Sequence, residues 1–171
     1  MWQLANCCLT ATLILDARGT VNQEWGSEYL GAFLICGNIK EYYMVPVSAW
    51  GIDDWLGNGQ VRINESETIN VLVALCTWKQ HLRGCRVNVW VDSSTTKGVI
   101  TNGYSKSKVL TKMSGEIWLK ADATQCGLWI HRVPTKLNPA DLLSRGDDSL
   151  AREAGFSQVQ PRCSAPGDWR F

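Results

Sequence analysis

This sequence predicts an α/β fold, with an antiparallel opening of three strands and then strands alternating with helices. Three stretches carry that expectation. Val87-Asn88-Val89-Trp90-Val91 is β-branched or aromatic at all but one position and lacks Pro and Gly, so it reads as a buried strand. It stops at Asp92, and Ser93-Ser94-Thr95-Thr96 follow, the residue types that open helices. Tyr29–Cys36 and Glu41–Ser48 are strand-like runs on either side of Gly37-Asn38, a hairpin signal. Glu65–Leu82 repeats Val71, Ala74, Leu75, Trp78 and Leu82 at helical spacing. A strand, a carboxylate at its C-terminal tip and then a helix start is the layout in which open α/β sheets hold ligands. Taken alone, Asp92 serves equally well as a helix cap.

Bulk properties fit one ordinary globular domain. The 171 residues are 45% hydrophobic and 19% charged, enough for a core without disulfide or metal staples. Seven cysteines, Cys7, Cys8, Cys36, Cys76, Cys85, Cys126 and Cys163, are odd in number and form no C-x-x-C pair, and there are two histidines. A zinc site is therefore not expected, and a reducing intracellular compartment, cytoplasmic or nuclear, is. Cys7–Leu15 has no preceding Lys or Arg and no small-residue cleavage pattern, and Asp16 interrupts it. It reads as a strand, not a signal peptide or membrane span. The net charge of +1 is unevenly spread: residues 1–77 hold 3 Lys/Arg against 8 Asp/Glu, and residues 78–145 hold 11 against 4. A basic middle segment is either a polyanion footprint or the solvated faces of helices.

In chain order, Leu9–Asp16 is an apolar run ending in an acid, followed by a polar loop to Glu28 that contains Gly19 and Gly26. After the hairpin, Trp50–Val61, with three glycines and Asp53-Asp54, reads as a loop or insertion. The helix Glu65–Leu82 comes next. Glu67 lies four residues before Val71 and so belongs to the buried stripe, while Glu65 is expected on roughly the opposite side. A carboxylate on a buried stripe needs a partner or a cation, although a first-turn Glu also complements the helix dipole. Ser93–Ile100 and Ser107–Ala123 are expected helices, the second with Leu110, Met113, Ile117 and Trp118 on one face, and Asn102-Gly103-Tyr104 separates them. Gly127–His131 is a further strand, ended by Pro134. Asn138-Pro139-Ala140-Asp141 opens a helix, with Asn as cap and Pro in the first turn. From Gly146 the composition turns polar and rich in Gly, Pro and Ser, with one short helix at Ser149–Ala154. The expected division is a domain over 1–146 and a loosely held tail over 147–171.

Four acids, Asp16, Glu67, Asp92 and Asp141, thus sit where elements end or begin. Carboxylates brought together repel one another unless a cation joins them. Oxygen donors of this kind select Mg²⁺ or Mn²⁺, which complete their coordination with water and substrate phosphates.

The order and surroundings of these acids resemble the ribonuclease H domain, in particular that of retroelement reverse transcriptases of the LTR and tyrosine-recombinase kinds. The motifs that carry the resemblance are Ile14-Leu15-Asp16-Ala17, Ile63-Asn64-Glu65-Ser66-Glu67 leading into Val71–Trp78, Val89-Trp90-Val91-Asp92-Ser93, and His131–Arg145 with its Val-Pro, Asn and Ala-Asp-Leu-Leu-Ser-Arg. The resemblance spans Thr10 to Arg145. It implies a ribonuclease H-like mixed sheet, three antiparallel strands and then parallel ones, flanked by helices. It also implies a two-metal hydrolysis of the RNA strand of RNA–DNA hybrids. Asp16 would bridge two Mg²⁺ ions, with Mn²⁺ able to replace them; Glu67 and Asp92 would hold one ion and Asp141 the other. Hybrid would be read by groove shape and 2′-hydroxyls, with Lys79, Arg83, Lys97, Lys106 and Lys108 as phosphate contacts. An adjoining reverse transcriptase polymerase domain is the implied partner, and a membrane is not; the early position of the first strand suits a piece of a longer element.

The sequence also departs from the pattern. Gly26 comes ten residues after Asp16, Trp50–Val61 is long, and Asn70 stands where a small residue is common. His131 lies ten residues before Asp141, which suits the family's mobile histidine, but one place early relative to Val133-Pro134. It therefore reads either as a proton shuttle or as a structural strand-end histidine. Two other functions compete: a non-catalytic remnant that only binds nucleic acid or a partner domain, and a strand-transfer enzyme on the same fold. The latter class closes with Glu, where this chain has Asp141.

Overall fold

A computed structural model describes residues 10–17, 29–47 and 63–162. The two loops expected around Gly19–Gly26 and Trp50–Val61, and Cys7, Cys8 and Cys163, lie outside the described residues. Among the described residues, six strands form one mixed sheet: β1 (Thr10–Ala17), β2 (Tyr29–Cys36), β3 (Ile39–Pro46), β4 (Arg86–Val91), β5 (Gly127–Arg132) and β6 (Ser157–Gln158), in the order β5-β4-β1-β2-β3-β6. β1, β2 and β3 are antiparallel, whereas β4 runs parallel to β1 and β5 parallel to β4. This is the expected mixed architecture. The β2–β3 turn is Gly37-Asn38, with Gly37 at φ +59° in the first central position, where a type II′ turn needs a positive φ.

Helices cover both faces. On one face lie α1 (Ile63–Thr77) and α4 (Lys108–Thr124), packed over Leu13, Leu15, Leu34, Val87 and Val89 in the main core. α2 (Lys79–Leu82) extends α1, and α3 (Ser94–Asn102) follows β4. The single long helix expected over Glu65–Leu82 is interrupted at Trp78. Its ring is buried against Tyr43, with centroids 5.1 Å apart, and its Nε1 donates to Glu41 Oε2 at 2.8 Å. The expected caps form: Ser93 accepts from Thr96 N and Ser107 from Leu110 N. Of the expected α4 face, Leu110, Met113 and Ile117 are buried but Trp118 is exposed, its Nε1 donating to the Ile100 carbonyl at 2.9 Å.

On the other face, α5 (Ala140–Ser144) and α6 (Ser149–Glu153) sit over a smaller core of Phe33, Tyr42, Ala140, Leu143 and Ala151. Residues beyond 146 were expected to be loosely held. As far as 162 they instead pack on β3: β6 pairs with Glu41 and Tyr42, and Phe156 meets Phe33 edge-on at 4.9 Å. Tyr42 also donates to Asp148 Oδ2 at 2.8 Å. The short helix expected at Ser149–Ala154 forms as α6, and the apolar residues around it find a preformed apolar face that their own composition does not reveal. Among the described residues, no helix is long and apolar enough to cross a membrane.

Gly31, in the middle of the sheet, is where α5 is seated. A Cβ there would overlap Leu143 Cβ and lie 3.1 Å from the Leu143 carbonyl carbon and the Ser144 nitrogen. Gly31→Ala is therefore expected to destabilise the fold by about 1–3 kcal/mol through overpacking. Urea unfolding would measure this, and an unchanged midpoint would mean that α5 is not held against β2.

Candidate active site and metal centre

Asp16 and Asp92 become neighbours through strand register. β1 and β4 are parallel with Ile14 beside Trp90, so two residues further on the two acids lie side by side and on the same face. Glu67 reaches them from the first turns of α1, steered by Thr96 of α3, whose Oγ1 donates to Glu67 Oε2 at 3.2 Å. One carboxylate oxygen from each of Asp16, Glu67 and Asp92 lies within 4.8 Å of the others.

The electrostatics follow from that crowding. Asp16 is 6% exposed, and its pKa is pushed up to about 7 by burial, with the Asp92 and Asp141 charges adding to the effect and a hydrogen bond from Ser144 opposing it. Glu67 is also raised, by burial first and by Asp92, against hydrogen bonds from Ser93 and Thr96. A carboxylate that holds its proton near neutral pH, beside two others, is a group in want of a cation. Three hard oxygen donors at this spacing fit a divalent ion of the Mg²⁺ or Mn²⁺ kind.

Asp141, the fourth acid, stands apart from that group of three. It opens α5, and both of its oxygens accept from Arg145, from Nε at 2.8 Å and from Nη2 at 3.0 Å. Asp141 nevertheless lies near enough for its charge to act on Asp16. The approach of α5 to β1 is set by Asn138, whose Nδ2 donates to the Leu15 carbonyl at 3.0 Å and whose Oδ1 accepts from Ala140 N at 3.1 Å. Asn138 thus performs the capping role that its place before Pro139 suggests.

Glu65 is not on an exposed side of α1, as helix phase suggests. It is 3% exposed, and its Oε2 has no hydrogen-bond partner. The reason is that α1 is enclosed nearly all round: every residue from Thr68 to Leu75 is buried, so the helix has no solvent face to sort the two glutamates. Only Glu67 joins the other acids.

Asn70 is the residue whose role the sequence conceals. Fully buried, it donates from Nδ2 to the Asp16 carbonyl at 2.7 Å and to the Gly31 carbonyl at 2.9 Å, and its Oδ1 accepts from the Tyr43 hydroxyl at 2.6 Å. It clamps α1 to three strands at the level of Asp16. A polar residue inside an apolar helix stretch was the available signal, since such a group is kept only when it is hydrogen-bonded.

His131 lies on β5. Its Nε2 is 3.1 Å from Asn88 Oδ1, and its ring stacks on Trp90 with centroids 4.5 Å apart. Among the described residues, its contacts are thus with the neighbouring strand β4. The next residue, Arg132, which the sequence did not single out, donates from Nε to the Asp92 carbonyl at 3.2 Å. Of the basic residues, Lys97 is in the first turn of α3, the residue after Thr96. Lys106 and Lys108 are exposed at the start of α4. Lys79 is exposed on α2 and Arg83 just beyond it, both past the interruption at Trp78 and at the opposite end of α1 from Glu67. The structure does not bring Lys79 or Arg83 to the acids.

No family model matches the chain, and no curated protein matches it in sequence. Solved structures do match in shape. The N-terminal RNase H domain of a Mycobacterium tuberculosis protein has a TM-score of 0.57 at 14% identity, over 85% of this chain and 98% of that one. RNase H1 from the archaeon Halobacterium salinarum gives 0.56 at 14%, over 84% and 98%. LC11-RNase H1, isolated from compost, gives 0.59 at 16%, over 84% and 99%; it has also been solved in complex with an RNA/DNA hybrid. The chain therefore has the ribonuclease H fold.

Two outcomes are expected from the site's geometry. Asn70→Ala removes three buried side-chain hydrogen bonds, to the Asp16 and Gly31 carbonyls and from the Tyr43 hydroxyl, so unfolding free energy should fall by about 3 kcal/mol; denaturant melts showing a loss under 1 kcal/mol would deny Asn70 its clamping role. The second concerns pH. The folded Asp16 pKa lies above its unfolded value of 3.8, so Asp16 favours the fold while protonated, and that contribution is lost as pH rises from about 4 to about 7. In chelator, Asp16→Asn should remove this loss and be more stable than the parent at pH 7; equal melting temperatures across that range would contradict it.

Proposed function

We propose that this protein is a metal-dependent nuclease that cleaves the RNA strand of RNA–DNA hybrids, using two Mg²⁺ ions for which Mn²⁺ can substitute. The observation that carries the reading is the convergence of Asp16, Glu67 and Asp92 at strand ends and a helix start, with the charge of Asp141 acting on Asp16, on this fold. Asp16, Glu67 and Asp92 would hold one ion, and Asp16 and Asp141 the other. Bound there, the ions supply the charge that activates water and stabilises the leaving oxygen of a phosphodiester.

The chain's own residues do the positioning. Asn70 and the strand register hold Asp16 beside Asp92, and Thr96 turns Glu67 toward both. With the Asp16 pKa raised to about 7 by burial, binding a cation there releases a proton near neutral pH. Lys97 and the exposed Lys106 and Lys108 are suited to phosphates on either side of the cut. Lys79 and Arg83 would serve only the distant backbone, and His131 supports β5 and not proton transfer. The likeness to an RNase H1 solved with a hybrid supports this choice of substrate. The motif ending in Ala140-Asp141-Leu142-Leu143-Ser144-Arg145 supports an origin in a retroelement reverse transcriptase, with an adjoining polymerase domain as partner. The non-catalytic alternative drew on Asn70 and on the two long loops; a fully bonded Asn70 at the site speaks against the first, and the loops lie outside the described residues.

Cleavage of labelled hybrid in Mg²⁺, beside RNA and DNA duplex controls, tests the reading. Asp92→Asn and Glu67→Gln should each reduce kcat by far more than tenfold while melting near the parent temperature. Glu65→Gln should keep its activity. A kcat within tenfold of the parent for Asp92→Asn would overturn the assignment.

A further inference from the structure

The four acids differ in the counter-charge they carry. Among the described residues, Asp16, Glu67 and Asp92 make no ion pair, whereas Asp141 makes one with Arg145, a single turn along α5. That contact is a fork: Nε and Nη2 each take one Asp141 oxygen, at 2.8 and 3.0 Å. The paired geometry leaves neither oxygen free of a donor. Asp16 also lies within the electrostatic reach of this pair, acting on the Arg145 guanidinium and acted on by Asp141. A monovalent cation thus rests on the acid that, with Asp16, would hold the second ion. The pair is open to water, with Arg145 46% and Asp141 26% exposed, so it can part at little cost.

We propose that Arg145 and the second divalent ion compete for Asp141, so that Arg145 sets the affinity of the second ion and leaves that of the first unchanged. The inference rests on the nuclease reading above. A guanidinium and a divalent ion cannot both bind the Asp141 oxygens closely, because each repels the other at such short range. Among the described residues the three converging acids carry no such competitor, so they fill first, and the Asp141 end fills at higher ion concentration. Displaced, the guanidinium is free to fork onto a phosphate, whose geometry it matches. Arg145 is in this sense a positioning residue that acts through Asp141.

The test is Mn²⁺ binding to the metal-stripped full chain without nucleic acid, followed by calorimetry and by the electron paramagnetic resonance of free Mn²⁺. The parent should show one tight and one weak class of ion. Arg145→Ala should tighten the weak class about tenfold and leave the tight class within about twofold. Arg145→Lys should fall between, since an ammonium cannot fork across two oxygens. Arg145→Gln provides a second neutral variant should the alanine protein fold poorly. Asp141→Asn should abolish the weak class in every background. A weak class left unchanged or loosened by both neutral variants would overturn the competition, with the tight class still supporting the metal centre. No Mn²⁺ bound by any variant would overturn the nuclease reading and the competition with it.

Discussion

The carboxamide of Asn70 is the interaction on which the site depends. Its two donors go to the carbonyls of Asp16 and Gly31, facing residues of the β1–β2 ladder, and its acceptor takes the Tyr43 hydroxyl of β3. An amide bonded at both ends in a dry interior resists displacement, because each lost bond would leave a buried polar group unpaired. Glu67 lies three residues earlier on the same helix and so on the same side as Asn70. The clamp therefore fixes how far Glu67 stands from Asp16. A small apolar residue at position 70 would let helix and strand pack, but would leave their relative height to side-chain contacts alone.

Gly31 links this clamp to the opposite face. Its carbonyl accepts from Asn70, and its missing side chain makes room for Leu143. α5 has only five residues, too few to persist as an isolated helix. Leu143 against Gly31 and Asn138 against Leu15 hold it in place, and with it Asp141. One glycine and two asparagines thus position acids that are far apart in the chain. The same arrangement opposes folding, since burial and mutual repulsion raise Asp16 and Glu67. Stability is given up at the site for a cluster of acids able to hold a cation.

Local signals were legible because their physics is local. The β2–β3 hairpin needs a positive φ at Gly37. The caps at Ser93 and Ser107 bond three residues on, within reach of any reading of the chain. The four acids could be picked out because each stands at the end of an apolar run or the start of a helix, where a carboxylate is expensive or purposeful. The i, i+4 spacing of Asp141 and Arg145 was present in the sequence too, but spacing does not say whether two side chains meet.

Tertiary structure decided the rest. The phase of α1 picked Glu67 and not Glu65 for the acid cluster, but it could not foresee that Glu65 is buried too, because periodicity predicts exposure only where a helix has a wet side, and this one is enclosed. Asn70 looked like a flaw until three strands supplied its partners. His131 was assigned by its distance from Asp141, yet its neighbours are set by the register of β5 on β4, which places it beside Trp90. The sequence by itself determined the strands, the helices and the acids at their ends, since those follow from patterns a few residues long. Which acids converge, and on what they rest, was decided by strand register and by close approaches between distant segments, which no short window of sequence contains.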